Sequence, residues 1–281
     1  MKWKEEDKEK IPVMRSRGKV EYLAFPGLEK TGAVDHLFST RLGGVSREHL
    51  GTMNLSFTRG DKEEYVRENY RRIAEAINCE IGDFVFSHQT HTANVRIITG
   101  KDRGKGLTEP LDYQDVDGLV TREPGIVLSA FFADCVPLFF VDPVNKVIGL
   151  SHSGWRGTIG RIGEKTIERM EELGALRECI RAAIGPSICR DCYEVGEDVA
   201  SVFKQEFLEH QEEILKNKGE GKYLLNLWKV NELILLEAGI RMENLETTNL
   251  CTCCNHELLF SHRASQGMRG NLGAFLRLKK S

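Results

Sequence analysis

The sequence predicts a mixed α/β domain with a substantial sheet, and three patterns predict it. Two nearly continuous apolar runs, 125–132 and 146–150, are bounded by turn residues and are too short for helices. They read as strands buried on both faces. Longer segments at 65–79 and 158–173 repeat apolar residues at three- and four-residue steps, the period of an amphipathic helix. Strand-like and helix-like stretches then alternate through the middle of the chain, an order that lays helices over a sheet.

In chain order, the helix at 65–79 carries Val66, Tyr70, Ile73, Ala74 and Ile77 on one face. The strands 125–132 and 146–150 follow. Ile159, Ile162, Thr166, Met170 and Leu173 give one face to a helix over 158–173, which Gly174 ends. Further helices are expected at 196–210 and 227–238, the second opened by Asn226, a side chain suited to cap a helix start. A short strand pattern returns at 274–278. No repeat or low-complexity linker divides the chain. Residues 19–281 therefore read as a single domain, with residues 1–18 as a solvated, poorly ordered extension.

Composition narrows the class. A chain of 281 residues, 41% hydrophobic and 29% charged, has the balance of a globular protein with a sizeable core. A net charge of −3 gives no electrostatic reason to expect nucleic acid. No apolar run approaches the roughly 20 residues that cross a bilayer, and the first ten residues lack the apolar core of a secretion signal. The expected location is the cytosol, away from membranes. There the eight cysteines are expected to pack, ligate or react rather than form structural disulfides. Cys79, Cys135 and Cys179 are isolated, Cys189 and Cys192 form a CxxC, and Cys251, Cys253 and Cys254 form a CxCC. The two clusters could together hold a structural zinc, but their order and spacing fit no zinc ribbon well.

Chemistry is expected at three places. Cys135 ends the strand at 126–133, beside Asp134. His152 ends the next strand and opens the turn Ser-His-Ser-Gly-Trp-Arg-Gly. His91 lies just before the apolar pattern Val95, Ile97, Ile98. Strand ends are where α/β sheets gather ligands. If these three converge, two imidazoles and a thiolate make a three-ligand site with a fourth position open, as in catalytic zinc enzymes. Copper accepts the same set. Each residue also has a plainer role, the cysteine as a small hydrophobe and the histidines in ordinary hydrogen bonds. Gly154, Arg156 and Gly157 at a strand-to-helix turn favour an anion such as phosphate, although a tight turn with a solvated arginine reads equally well. The segments 38–46 and 54–61, which hold Arg41 and Asn54, either line a pocket for a polar ligand or are simple turns. Asp115-Val-Asp-Gly118 has carboxylates spaced like part of a calcium loop but lacks the other ligands, and reads as a turn.

Several motifs fall in one order: Phe38-Ser-Thr-Arg-Leu-Gly-Gly, Asn54-Leu-Ser, Gln89-Thr-His91, Asp115-Val-Asp-Gly118, Ala133-Asp-Cys135 and His152-Ser-Gly-Trp-Arg-Gly157. Ile184-Gly-Pro186, Cys192-Tyr-Glu-Val-Gly196, Leu225-Asn-Leu-Trp228 and Phe260-Ser-His-Arg263 continue it. From about residue 20 onward the chain resembles the laccase-domain family, also called the multicopper polyphenol oxidase or peptidoglycan-editing-factor family. The resemblance implies a single-domain, four-layer α/β/β/α fold with mixed sheets and a zinc site at His91, Cys135 and His152. It also implies phosphorolysis of adenosine, inosine and methylthioadenosine to base and ribose 1-phosphate, together with deamination of adenosine to inosine. Asn226 stands where the family often has Asp, and Asn271 where a more basic ending is common; neither touches the three ligands.

On this reading the metal acts as a Lewis acid on water. The His-x-Glu and Pro-Cys-x-x-Cys signature of nucleobase deaminases is absent, which leaves Asp134 as the candidate proton carrier. Arg156 and Arg41 would hold phosphate, with Asn54 a further substrate contact. The expected partners are purine nucleosides and phosphate, with neither nucleic acid nor membrane. Three rivals stand beside it. Cys135 could be the nucleophile of an amidase acting on peptidoglycan precursors, with His91 or His152 as base. A copper polyphenol oxidase needs more paired histidine motifs than eight largely isolated histidines provide. The third is a metal-stabilised binding protein without activity.

Overall fold

The computed structural model describes residues 12–280, and the buried strands read from the sequence lie inside a stack of two sheets. The first sheet runs in the order β1 (Val13–Arg17), β2 (Val20–Ala24), β3 (Val34–Ser39), β15 (Leu272–Leu278), β7 (Val127–Phe132), β4 (Phe84–Phe86). The second runs β14 (Leu245–Thr247), β10 (Arg181–Ile184), β8 (Val136–Asp142), β9 (Val147–Ser153), β6 (Gly118–Thr121), β5 (Val95–Ile97). Parallel pairs occur at β4–β7, β5–β6 and β10–β14, so both sheets are mixed. A third, small sheet of β11 (Glu194–Gly196), β13 (Lys222–Leu225) and β12 (Leu215–Gly219) lies beside them.

Side chains of a strand point alternately to its two faces, and β8 shows the result. Phe139 and Val141 face the first sheet, in one cluster with Leu128 and Ala130 of β7 and Leu276 of β15. Val136, Leu138 and Phe140 face the other way, toward Ile162, Ile167 and Met170 of the helix α4 (Ile162–Glu172) and Val230 and Ile234 of α7 (Leu227–Glu237). All seven residues of β8 are buried. Cover on both faces explains why such strands read as unbroken apolar runs. On the far side of the first sheet, α2 (Glu63–Ala76) lays Val66, Tyr70 and Ile73 against Leu37, Phe84, Val127 and Phe275. The layers are therefore helix, sheet, sheet, helix in one domain. Shorter helices, α1 (Pro26–Glu29), α3 (Trp155–Ile159), α5 (Glu197–Glu206) and α6 (Gln211–Ile214), fill the ends and edges.

The sequence-derived elements are found with departures, one of them brief: the helix expected over 196–210 ends at Glu206 as α5, and Leu208–His210 form a separate 3-10 turn. Two others matter more. The helix expected over 158–173 comes in two pieces. It breaks at Gly160 and at Arg161, whose φ of 56° is left-handed, before α4 begins. The unbroken apolar spacing from Ile159 to Ile162 hides this break from a periodicity argument. The second departure concerns the expected extension at 1–18. Residues 1–11 lie outside the described residues, while Val13–Arg17 form β1 and pair with β2 along all five positions. No helix among the described residues is long and apolar enough to cross a membrane.

Candidate active site

Where β7 of the first sheet passes into β8 of the second, the chain turns through Ala133, Asp134 and Cys135, and Asp134 takes a left-handed φ of 94°. Cys135 thus stands at the seam of the two sheets. Antiparallel pairing of β8 with β9 sets Pro137 opposite His152, so His152 comes up beside the same turn. His91 arrives from the loop before β5, also at a left-handed φ, of 65°. The three residues expected at strand ends do converge, with their ligand atoms all within 4.8 Å of one another. His91 Nε2 lies 3.9 Å from Cys135 Sγ, and the two imidazole centroids are 4.9 Å apart.

One carboxylate organises this cluster. Asp117 is fully buried just ahead of β6 and accepts a hydrogen bond from His152 Nδ1 at 2.7 Å. It also accepts from the backbone amides of Thr90, His91 and Thr92 at 3.1, 3.1 and 2.9 Å, and from the Thr92 hydroxyl at 2.9 Å. Placing the His152 proton on Nδ1 leaves Nε2 free to act as a ligand, an arrangement that metal-binding histidines share. Burial works against ionisation of Asp117, yet the bond from His152 and the Thr90 and Thr92 amides hold it below the usual carboxylate range. Burial would likewise raise the Cys135 thiol, but the charge on His152 and hydrogen bonds from both imidazoles bring it down to about 6. His152 moves the other way, to about 9: burial opposes its charge, and Cys135 and Asp117 overcome burial.

These residues fit a transition metal. Two nitrogens at roughly 2.0–2.1 Å and a sulfur at about 2.3 Å around a tetrahedral ion stand between about 3.3 and 3.6 Å apart, a little closer than the 3.9 Å between His91 Nε2 and Cys135 Sγ. Room for the cluster depends on Gly154. A Cβ there would meet His91 Cδ2 at 2.8 Å and Cys135 Sγ at 3.2 Å.

Above the three residues opens a cavity of about 740 Å³, a size suited to a small organic ligand. Phe131, Trp155 and Tyr193 give it flat apolar surfaces, and Arg59, Arg156, Arg263 and Arg269 give it positive charge. Asp134 is the one acid among the described lining residues. Arg156 is exposed, with its guanidinium 4.4 Å over the Trp155 ring. The helix it opens, α3, has only five residues. The phosphate argument for Arg156 therefore rests on its guanidinium and not on a long helix behind it. Arg269 is held down to about 10 by burial and by its neighbour Arg59.

Two other expected contacts lie elsewhere. Arg41 donates to the carbonyls of Gly51 and His256 at 2.9 and 2.8 Å and packs over Phe260, so its charge is spent on tying loops together. Asn54 is fully buried. It donates to Ser56 O and Asp61 Oδ2, and it accepts from the amides of Ser56 and Asn271. Neither lines the cavity, although the next residues, Leu55 to Arg59, do. Asp134 does line it, but both of its oxygens already accept hydrogen bonds, from the Thr252 hydroxyl at 2.6 Å and the Arg263 amide at 2.7 Å. That suits an anchor for the turn better than a proton carrier. Sequence reasoning missed Asp117, Arg263 and Arg269, and reached Arg59 only as part of the segment 54–61 offered as a pocket lining. For Asp117 a signal existed, a carboxylate placed immediately before a fully buried strand.

Fold and site together define a class: a four-layer α/β enzyme in which two imidazoles and a thiol gather where two sheets meet, below an arginine-lined cavity. Residues 35–279 match the family described as multi-copper polyphenol oxidoreductase laccase, and the chain belongs to that family. It is 36% identical over 247 residues to the purine nucleoside phosphorylase YlmD of Bacillus subtilis, covering 87% of this chain and 88% of that protein. It is also 36% identical over 228 residues to the adenosine deaminase RL5 of an unknown prokaryotic organism, covering 80% and 87%. Among solved structures, the Bacillus licheniformis hypothetical protein YfiH superposes with a TM-score of 0.88 at 32% identity, covering 95% of this chain and 99% of that one.

Proposed function

We propose that this enzyme is a zinc-dependent purine nucleoside phosphorylase that also deaminates adenosine, with His91, Cys135 and His152 as the metal ligands. The observation that carries this reading is the placement of a His₂Cys donor set and four arginines on a single cavity. The names of the two relatives support the substrate class. Zinc held there would supply Lewis acidity at the floor of the cavity. Asp117 keeps the His152 imidazole aimed and fixes the backbone that carries His91, so little reorganisation is needed during reaction. Phe131, Trp155 and Tyr193 offer faces against which a purine can lie. Arg156, reinforced by Arg59, Arg263 and Arg269, holds phosphate so that one of its oxygens bonds to the ribosyl carbon as the bond to the base breaks. In deamination, water replaces the amino group of adenine, which leaves as ammonia, and phosphate takes no part.

The test follows free base and inosine made from adenosine with and without phosphate. Base release depends on phosphate under this proposal, and inosine formation does not. Arg156→Met removes one charge-assisted contact of roughly 1.5–3 kcal/mol. Base release should fall about ten- to a hundredfold while inosine formation changes much less. Equal losses would make Arg156 structural, and no loss in either would move phosphate to Arg59 and Arg269. Cys135→Ala and His152→Ala should each remain folded and lose the metal of this centre. Unchanged metal content in both variants overturns the ligand assignment. Elemental analysis also separates zinc from copper, which the same donors accept.

A second reading has its own support. Cys135, His152 and Asp117 stand side by side in space as thiol, imidazole and carboxylate, the arrangement of a cysteine hydrolase. That enzyme would form a covalent adduct on Cys135 while turning over an acyl substrate. The nucleoside reading expects none, and mass spectrometry of the reacting enzyme distinguishes them.

A further inference from the structure

Outside the cavity, four cysteine sulfurs meet. Cys189 and Cys192 lie on the turn after β10, and Cys251 and Cys254 on the turn after β14, 62 residues further along. Their four Sγ atoms all lie within 4.8 Å of one another. The two turns are alike. Each presents a Cys-x-x-Cys, because Cys251-Thr-Cys-Cys254 contains that spacing beside an additional Cys253. Each closes on the carbonyl of its first cysteine, with Cys192 N on Cys189 O and Asn255 N on Cys251 O, both at 3.1 Å. A parallel bridge between Ser187 and Cys251 sets the turns side by side, and Thr252 N donates to Ser187 O at 3.1 Å. The amides of Cys189 and Cys254 point at Cys251 Sγ, at 3.2 and 3.4 Å. The hydrogen bond with Cys189 and burial push the Cys251 thiol up, and these two amides pull the other way.

We propose that Cys189, Cys192, Cys251 and Cys254 bind one zinc ion as a four-thiolate structural site, distinct from the centre at His91, Cys135 and His152. Distance excludes a disulfide and a polynuclear cluster and suits a single tetrahedral ion. Zinc–sulfur bonds of about 2.3 Å place tetrahedral sulfurs about 3.8 Å apart, and Cys192 and Cys254 are 3.5 Å apart. That separation is far beyond the roughly 2.05 Å of a disulfide bond. A polynuclear iron–sulfur cluster binds its cysteines to different irons and needs a wider spread. On binding, the thiols lose their protons to solvent and the sulfurs donate to the ion. Four protein ligands close the coordination sphere, which leaves no position for a substrate.

The site has a mechanical purpose. Its first turn carries Ile188 and Tyr193, both on the cavity wall. Its second carries Thr252, whose hydroxyl holds Asp134 beside Cys135. Arg263 of the cavity donates to Cys192 O at 2.9 Å. The ion would pin these pieces together across a long stretch of sequence.

The experiment counts zinc per chain in the purified full-length protein and in three variants. Cys192→Ser/Cys254→Ser should lose one equivalent relative to the parent. Cys135→Ala should retain that equivalent, and Cys253→Ser should lose none. Should the double variant fail to fold, cobalt(II) added to metal-free Cys135→Ala gives an independent readout. A four-thiolate site produces intense sulfur-to-cobalt charge-transfer bands and protects the four cysteines from thiol reagents. The proposal is overturned by a Cys135→Ala chain that holds no metal, shows no such bands and leaves these cysteines reactive in excess zinc. Iron in place of zinc, with or without acid-labile sulfide, or a disulfide among the four in the purified protein, overturns it as well.

Discussion

At Asp117 a single carboxylate meets the imidazole of His152 and three successive amides around His91, so a change there reaches two ligands at once. Asp117→Asn retains the shape, removes the charge and can turn an N–H toward donors. Metal affinity, read by competition with a coloured chelator, should fall about ten- to a hundredfold, with the fold intact by circular dichroism. An unchanged affinity would reduce Asp117 to a loop anchor. The three proposed ligands are legible in the sequence because each borders an apolar pattern. Asp117 escapes because its partners, at 90–92 and 152, are distant in the chain, and locally it looks like part of a turn. His36 makes a different prediction. Burial pushes its imidazole down to about 4, and its Nε2 accepts from Phe25 N at 2.8 Å, which requires the neutral ring. The unfolded chain takes up this proton near pH 6.5 and the folded chain only near pH 4. Stability is therefore full above pH 6.5 and declines as pH falls to about 4, by about 3 kcal/mol in all. Urea unfolding at pH 7, 5.5 and 4.5 should show a steeper decline for the parent than for His36→Gln, and identical slopes would refute the assignment.

Among the elements, helices were legible wherever one face repeats and a cap follows. Asn226 accepts from Lys229 N at 3.2 Å and opens α7, as its residue type suggests. Asn226→Ala should cost about 1 kcal/mol, while Asn226→Asp should cost little because both side chains cap well. Chemical denaturation of the two variants checks the order, and equal losses would show that packing, not the cap, is at stake. The split between α3 and α4 was not legible. Gly160 is the only local hint, and Arg161 can hold its left-handed turn because Glu164 and Glu237 pair with it from two helices. That support comes from tertiary structure, which periodicity does not record. The cysteine turns were half legible. Both clusters are plain in the sequence, but Cys253 disguises the second Cys-x-x-Cys, and the pairing of β10 with β14, continued by the Ser187–Cys251 bridge, brings the two together.

For the whole molecule, a layered α/β fold followed from strand runs and helix faces, but sheet order did not. Apolar alternation says that a strand is covered without saying by what. The place of β15 shows this most plainly, as a short pattern at 274–278 turns out to be an interior strand. It pairs over five positions with β3 on one side and over five with β7 on the other. A chain lacking residues 272–281 should leave the edges of β3 and β7 unpaired and apolar, a known route to aggregation. Its soluble fraction and refolding yield should collapse, and a soluble, cooperatively unfolding product would contradict this. The same placement governs the order of events on the ribosome. Synthesis runs from the N-terminus, and β15 follows every other strand among the described residues. The second sheet can assemble while the chain is still emerging, but β3 and β7 must wait, apolar and unjoined, until their shared neighbour has been made. During that interval the growing protein depends on chaperones or on speed.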